Sequence, residues 1–143
     1  MAAPGLWTPT NQARTDILNG NTPFGSGSFN VALFQSTSNL SQSSTTFAGV
    51  SNEVDTTNTG YAAGGIPVTF AESGTLSVTL KFAINPVWTA GSAGLTAHFA
   101  ALYKLGGNII AYFLLDSTPA DVTISPGNEL VVDGITNAPL TLA

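Results

Sequence analysis

The stretch from Leu95 to Asp116 carries apolar side chains on both faces of a predicted β-hairpin. Successive side chains of a strand point to opposite faces, so residues of one parity share a face. Apolar residues fill both parities in 99–103 and again in 109–115. Gly106 and Gly107 supply the turn, because glycine accepts positive φ at both central positions. A small antiparallel sheet normally needs one apolar face. The second face must therefore be covered by the chain's own helix or loops, or by another chain, and we expect another chain to cover it.

The composition points to a surface built from neutral polar residues. Hydrophobic residues make up 43% of the 143 residues, which is enough for one self-sufficient core. Charged residues make up only 8%, against about 25% in a typical soluble domain. Ser, Thr, Asn and Gly must supply most of the surface, and such a surface is typical of proteins that live packed in assemblies or outside cells.

Charge and hydropathy disfavour several classes of partner. The net charge is −5, and Arg14, Lys81 and Lys104 are the three basic side chains. Nucleic acids and anionic membranes are bound mainly through clustered Lys and Arg, so we expect neither as a partner. Cysteine is absent, which excludes disulfides and thiolate zinc sites. The N-terminus lacks the pattern of a signal peptide, and the longest apolar run, 109–115, is too short to span a bilayer. We therefore expect a protein made in the cytoplasm that stays soluble.

The pattern along the chain predicts one short helix and many short strands. Residues 11–18 form the helical candidate, capped by Thr10 or Asn11 and ended at Gly20. The long Ser- and Thr-rich segment 35–58 is interrupted by apolar residues and predicts a partly packed excursion. Short strands between turn signals favour an all-β fold, an antiparallel β-sandwich or jelly-roll-like barrel with one short N-terminal helix. We divide the chain into an extended N-terminal arm, 1–10, and a single β-sandwich domain, 11–143.

One strand and one pair of strands carry specific expectations. The alternation in 77–85 predicts that four side chains face the core, namely Val78, Leu80, Phe82 and Ile84. The strands 122–124 and 130–132 flank a Pro-Gly-Asn turn, and we expect them to pair with each other as a hairpin.

The titratable residues give little sign of catalysis. His98 is the single histidine, and Asp116 is its conceivable orienting carboxylate across the hairpin. A neutral, hydrogen-bonded histidine accounts for His98 more simply. Other carboxylates are scattered over turns and strand ends, which suits solvated charges better than a glycosidase pair or a calcium loop. We expect no enzymatic activity, no cofactor and no bound metal.

The aromatic residues suggest where partners could bind. Trp88 is interpreted as a plug at one end of the sandwich, and the sharper alternative is a sugar-stacking platform with Tyr61. Trp7 lies on the arm, and tryptophan is enriched among interface anchors, although Leu6 and Trp7 could equally fold back on their own sheet. The predicted partner-binding residues come from the arm and the hairpin: Leu6, Trp7, Tyr103, Tyr112 and Leu114.

Several motifs together resemble a group of small virion proteins of tailed phages. They are structural turns and strands spread over nearly the whole chain: Leu18-Asn19-Gly20, Val31-Ala32-Leu33-Phe34, Asn52-Glu53-Val54, Gly60-Tyr61-Ala62-Ala63-Gly64-Gly65, Pro86-Val87-Trp88-Thr89-Ala90, the run 95–103, and Pro126-Gly127-Asn128-Glu129-Leu130. The resemblance implies a capsid decoration (cement) protein, a homotrimer seated between subunits of the major capsid protein.

Such a protein would be assembled in the host cytoplasm and located on the capsid surface of the virion. The family brings no catalytic residues to this sequence. Related sequences also serve in tail or fibre parts, so an adhesion or carbohydrate-binding module on a tail or fibre is the alternative function.

Overall fold

A computed structural model describes residues 4–21 and 24–142 of the chain. Within them it has one α-helix, α1 (Asn11–Leu18), one 3-10 turn at Phe47–Gly49, and twelve strands. The strands, in chain order, are β1 (Thr8–Pro9), β2 (Phe29–Phe34), β3 (Ile66–Val68), β4 (Phe70–Ser73), β5 (Val78–Phe82), β6 (Val87–Thr89), β7 (Leu95–Ala97), β8 (Phe99–Lys104), β9 (Ile109–Leu114), β10 (Val122–Ile124), β11 (Glu129–Val131) and β12 (Leu140–Leu142).

The strands form antiparallel sheets that pack in a sandwich-like arrangement. The central sheet has five strands in the order β1-β9-β8-β2-β3, and a three-stranded sheet has the order β12-β5-β4. Two further pairs are β10 with β7 and β11 with β6. One face of the central sheet packs against the smaller sheets, with Phe82, Trp88 and Leu95 in the shared core. The predicted all-β, antiparallel, sandwich-like fold with one short helix is confirmed, whereas its jelly-roll form stays a prediction.

Helix α1 begins and ends where the sequence predicts. The Thr10 hydroxyl accepts a hydrogen bond from the Ala13 backbone N–H at 3.0 Å, which satisfies one of the free donors of the first turn. Gly20, at φ +71°, lies just beyond the helix in the left-handed conformation that glycine tolerates best. Ala13 is buried in the core, and the Asp16 carboxylate accepts a hydrogen bond from the Asn108 side-chain amide at 2.7 Å. These contacts hold the helix beside β9.

The second face of the hairpin is covered by the chain itself. The segment 35–58 lies across it and contributes Leu40, Phe47 and Val50 to a second apolar cluster with Tyr103 and Ile109. The Phe47 and Tyr103 rings stack with centroids 3.9 Å apart and planes 11° from parallel. The partly packed excursion predicted for this segment is therefore present. The expectation that a neighbouring chain must cover the hairpin was wrong, because the loop's few scattered apolar residues are enough.

Two further expectations were wrong in detail. Of the four side chains predicted to face the core, only Leu80 and Phe82 are buried. Val78, the first residue of β5, is 44% exposed, and Ile84, which lies beyond the end of β5 at Phe82, is 79% exposed. Strands β10 and β11 do not pair with each other. Strand β10 pairs with β7, and β11 pairs with β6. Both partners are packed against the core, whereas an isolated two-stranded hairpin is only marginally stable.

The Gly-Tyr-Ala-Ala-Gly-Gly turn ends in a close approach of two backbones. Gly65 has φ +77°, and a Cβ there would overlap the carbonyl of Val31 in β2. The turn brings β3 into register beside β2, with Ile66 opposite Val31. This part of the motif is therefore required by packing.

Candidate functional site

The predicted arm is held against the domain over its described part, residues 4–10. The Gly5 N–H donates to the Leu114 carbonyl at 2.9 Å, and Thr8 and Pro9 pair with Tyr112 and Ala111 of β9 as strand β1. The first three residues of the arm lie outside the described residues. Thr8 and Pro9 therefore form the edge strand of the central sheet, and the division of the chain into an arm and a separate domain stays a prediction.

Of the two arm residues predicted to bind a partner, one is buried and the other is open. Leu6 is 82% exposed, whereas Trp7 is only 7% exposed. The Trp7 indole lies 4.5 Å from the Phe113 ring centroid and 5.7 Å from that of Phe82, and its Nε1–H donates to the Asp133 carbonyl at 3.0 Å. Trp7 therefore folds back on its own sheet, which was one of the two interpretations drawn from the sequence.

The three hairpin residues predicted to bind a partner are also packed within the chain. Tyr103 is buried, and its hydroxyl donates to the Gly64 carbonyl at 2.7 Å. Tyr112 and Leu114 are half-buried. These side chains present little surface to another protein, and only Leu6 among the predicted residues is open. Their role in partner binding stays a prediction.

His98 has a carboxylate partner, but it is Asp121 and not Asp116. The Nδ1 atom of His98 lies 2.8 Å from Asp121 Oδ1, and the His98 side chain is 11% exposed. Asp116 instead accepts hydrogen bonds from the N–H and the hydroxyl of Thr118, which hold the pKa of its carboxyl below the usual value. The pair joins the β7–β8 corner to the loop before β10.

A polar cluster around Glu53 was not found by sequence reasoning. Glu53 Oε1 accepts hydrogen bonds from the Tyr61 hydroxyl and the Gly64 N–H, both at 2.6 Å. The Tyr61 hydroxyl in turn accepts one from the Leu33 N–H at 3.1 Å. Burial, followed by the hydrogen bond to Glu53, raises the pKa of Tyr61 far above its usual value. Every group in the cluster has a partner, so it ties the Gly-rich turn to β2. No spacing rule joins a loop glutamate to a tyrosine, and no sequence signal could have found it.

The aromatic residues considered for sugar stacking are buried. Trp88 is 2% and Tyr61 3% exposed, and their rings stack on each other with centroids 6.3 Å apart. Trp88 is therefore a core residue, and its interpretation as a plug at one end of the sandwich stays a prediction. A sugar cannot reach either ring face, so the platform expected for the carbohydrate-binding alternative is missing at these two residues.

One exposed apolar surface continues the core face of the three-stranded sheet. Leu80 and Leu140 are paired across β5 and β12 and are buried, and the next pair on the same face, Val78 and Leu142, is 44% and 51% exposed. Leu142 also lines a shallow cavity of about 350 Å³ with Leu18, which is 87% exposed. We call Leu18, Val78 and Leu142 the β5–β12 patch. Sequence reasoning missed it, because the alternation placed Val78 in the core.

The described residues contain no group of three or more His, Cys, Asp or Glu side chains positioned to hold a metal ion. In residues 4–21 and 24–142, no helix has the length and apolar character needed to cross a bilayer. Comparison of the chain with models of protein families, with curated proteins and with solved structures found no match.

Proposed function

We propose that this chain is a structural virion protein of a tailed phage, a capsid decoration protein that associates with copies of itself and binds the major capsid protein. The phage-like turn and strand motifs named above support this, as does the very low content of charged residues. Many copies packed side by side on a shell repel one another less when each carries few charges.

The single structural observation that carries the self-association in this proposal is the β5–β12 patch. Its side chains lie on paired strands and at the end of a capped helix, so they are presented by regular elements and not by a loose loop. Burying a leucine side chain completely stabilises an association by about 1.5–3 kcal/mol. A rigid surface of this kind suits a symmetric contact between copies of the chain.

The test replaces the patch without disturbing the sheet. In a triple variant, Leu18→Gln, Val78→Thr and Leu142→Thr, the two threonines keep the β propensity of their strands. We expect self-association, measured by sedimentation velocity, to weaken by at least about tenfold, since each 1.4 kcal/mol is a factor of ten. The matched control is Leu105→Gln, which removes an exposed leucine from the β8–β9 turn outside the patch.

Binding to the shell is measured by co-sedimentation of the labelled protein with purified heads of its cognate phage. We expect saturable binding by the wild-type chain and by the Leu105 control. A chain that stays monomeric at the highest soluble concentration and does not sediment with heads would overturn the proposal.

A further inference from the structure

Strands β10 and β11 are splayed apart, and a groove opens between them. The chain reverses between them through a turn in which the Asn128 N–H donates to the Ser125 carbonyl at 3.0 Å. A hairpin would continue from this turn, but β10 pairs outward with β7, and β11 pairs outward with β6. Within residues 4–21 and 24–142, each therefore has one edge without a partner strand, and residues of both strands line one cavity of about 730 Å³.

The unpaired edges offer backbone hydrogen bonds to an incoming strand. In an antiparallel ladder, successive residues direct their N–H and C=O groups alternately to the two sides of the strand. At least one residue in each three-residue strand therefore directs these groups away from its partner strand. Exposed edges of this kind are the surfaces to which extended peptides add as an extra strand.

The groove has an apolar floor. Phe113, Leu115 and Leu130 are buried members of the core that also line the groove, and Val122 and Ile124 beside them are half-buried. An occupant would therefore cover apolar surface as well as strand edges. The volume of the groove lies in the range of cavities that bind compact ligands, roughly 300–1,000 Å³.

The rim of the groove is acidic. Four of the eight carboxylates of the chain line it, namely Asp116, Asp121, Glu129 and Asp133, and no Lys, Arg or His is among the lining residues. Burial raises the pKa of Asp133, but the hydrogen bonds that its carboxylate accepts from N–H groups lower this pKa by more. Hydrogen bonds from Thr118 lower the pKa of Asp116. Both groups are thus ionised at neutral pH. His98, the single histidine of the chain, contacts Asp121, and Glu129 is exposed.

We propose that this groove binds an extended segment of a different protein, in which apolar side chains alternate with Lys or Arg. The alternating apolar side chains would lie on the floor, and the basic ones would lie at the acidic rim. Each strand is three residues long, so about three residues of the segment would be held in register at roughly 3.3 Å per residue.

A second copy of this chain is a poor occupant. Its three basic residues, Arg14, Lys81 and Lys104, lie in α1, β5 and β8, which are already folded and paired. The inference does not require the virion assignment, although a shell protein that supplied such a segment would satisfy both.

The probe is a fluorescein-labelled Val-Lys-Val-Arg-Val peptide, and binding to the full chain is measured by fluorescence anisotropy at low ionic strength. We expect saturable binding that weakens with added salt, because exposed charges are screened. Two control peptides separate the contributions: Val-Glu-Val-Glu-Val keeps the apolar pattern, and Val-Lys-Pro-Arg-Val keeps the charge but cannot add as a strand. Both should bind at least about tenfold more weakly.

The matched variants change the charge of the rim without touching the core. Asp116→Asn/Glu129→Gln should weaken binding of the basic peptide about three- to tenfold. Glu72 is an exposed acid of β4 outside the groove, and Glu72→Gln should leave the affinity for the basic peptide within about twofold of the wild-type value. Equal affinity for the acidic and basic peptides, no binding, or equal effects of the rim and control variants would overturn the inference.

The peptide assay also keeps this inference separate from the proposed function. The triple variant of the β5–β12 patch should bind the peptide normally, since the patch lies on other strands. Peptide binding by a chain that neither self-associates nor sediments with heads would refute decoration and leave the groove intact. Absence of peptide binding in a chain that still decorates heads would refute the groove inference and leave the decoration proposal intact.

Discussion

Replacing Trp7 by alanine tests whether the start of the chain is part of the core or an anchor for a partner. The indole fills a site between the Phe82 and Phe113 rings, and its Nε1–H donates to the Asp133 carbonyl. Trp7→Ala removes these contacts and leaves a cavity at the edge of the central sheet. If Trp7 acted mainly as a partner anchor, the isolated chain would lose almost nothing.

The structure indicates a large loss. Truncating a buried Trp or Phe to Ala costs about 3–5 kcal/mol, and a carbonyl that loses its donor contributes about 1 kcal/mol of this. Domains of this size are stable by about 5–15 kcal/mol, so the variant should lose roughly a fifth or more of its free energy of unfolding. The corresponding fall in Tm is on the order of 10 °C. Trp7→Phe keeps most of the ring and should lose about 1–2 kcal/mol.

Urea titration of the isolated chain, followed by circular dichroism and by fluorescence, measures these losses. The control is Leu6→Ala, because Leu6 is 82% exposed and its truncation should change the free energy of unfolding by less than about 0.5 kcal/mol. A loss below about 1 kcal/mol in Trp7→Ala, comparable to that of the control, would refute the reasoning and return Trp7 to the role of a partner anchor.

Three further outcomes follow from particular contacts. Gly134→Ala should destabilise the fold by about 1–3 kcal/mol in a thermal melt, because the new Cβ would overlap the Phe82 ring, whereas Gly25→Ala meets nothing and should be near neutral. Tyr61→Phe should cost about 1–3 kcal/mol in urea, because it removes a hydroxyl that both donates and accepts; an unchanged midpoint would contradict the polar cluster. Burial raises the pKa of Asp133 and backbone N–H donors lower it by more, so the folded pKa lies below the unfolded value of about 3.9. The stabilisation that ionised Asp133 contributes is therefore present above about pH 4 and is lost as the pH falls further. Asp133→Asn should make the free energy of unfolding depend less steeply on pH in this acid range. An unchanged pH dependence would contradict the lowered pKa of Asp133.

Local signals in the sequence were sufficient for several elements. Helix α1 begins after Thr10 and ends before Gly20, as predicted, because an N-cap and a left-handed glycine each act within one helical turn. Strand β2, Phe29–Phe34, is likewise a continuous run of mostly apolar, strand-forming residues that follows a Gly- and Ser-rich segment. Local signals were not sufficient for the predicted partner-binding residues. Trp7 of the arm and Tyr103 of the hairpin are buried, because neighbouring residues in the sequence do not reveal which distant segment covers a side chain.

The sequence by itself determined the all-β class, the helix and the two-faced hairpin, because propensity, capping and alternation depend on neighbouring residues. Only the tertiary structure decided what covers the second face, since Leu40, Phe47 and Val50 reach it from a segment without periodicity. It also decided that β10 and β11 pair outward and leave a groove, because a strand's choice of partner depends on which edges the rest of the fold makes available.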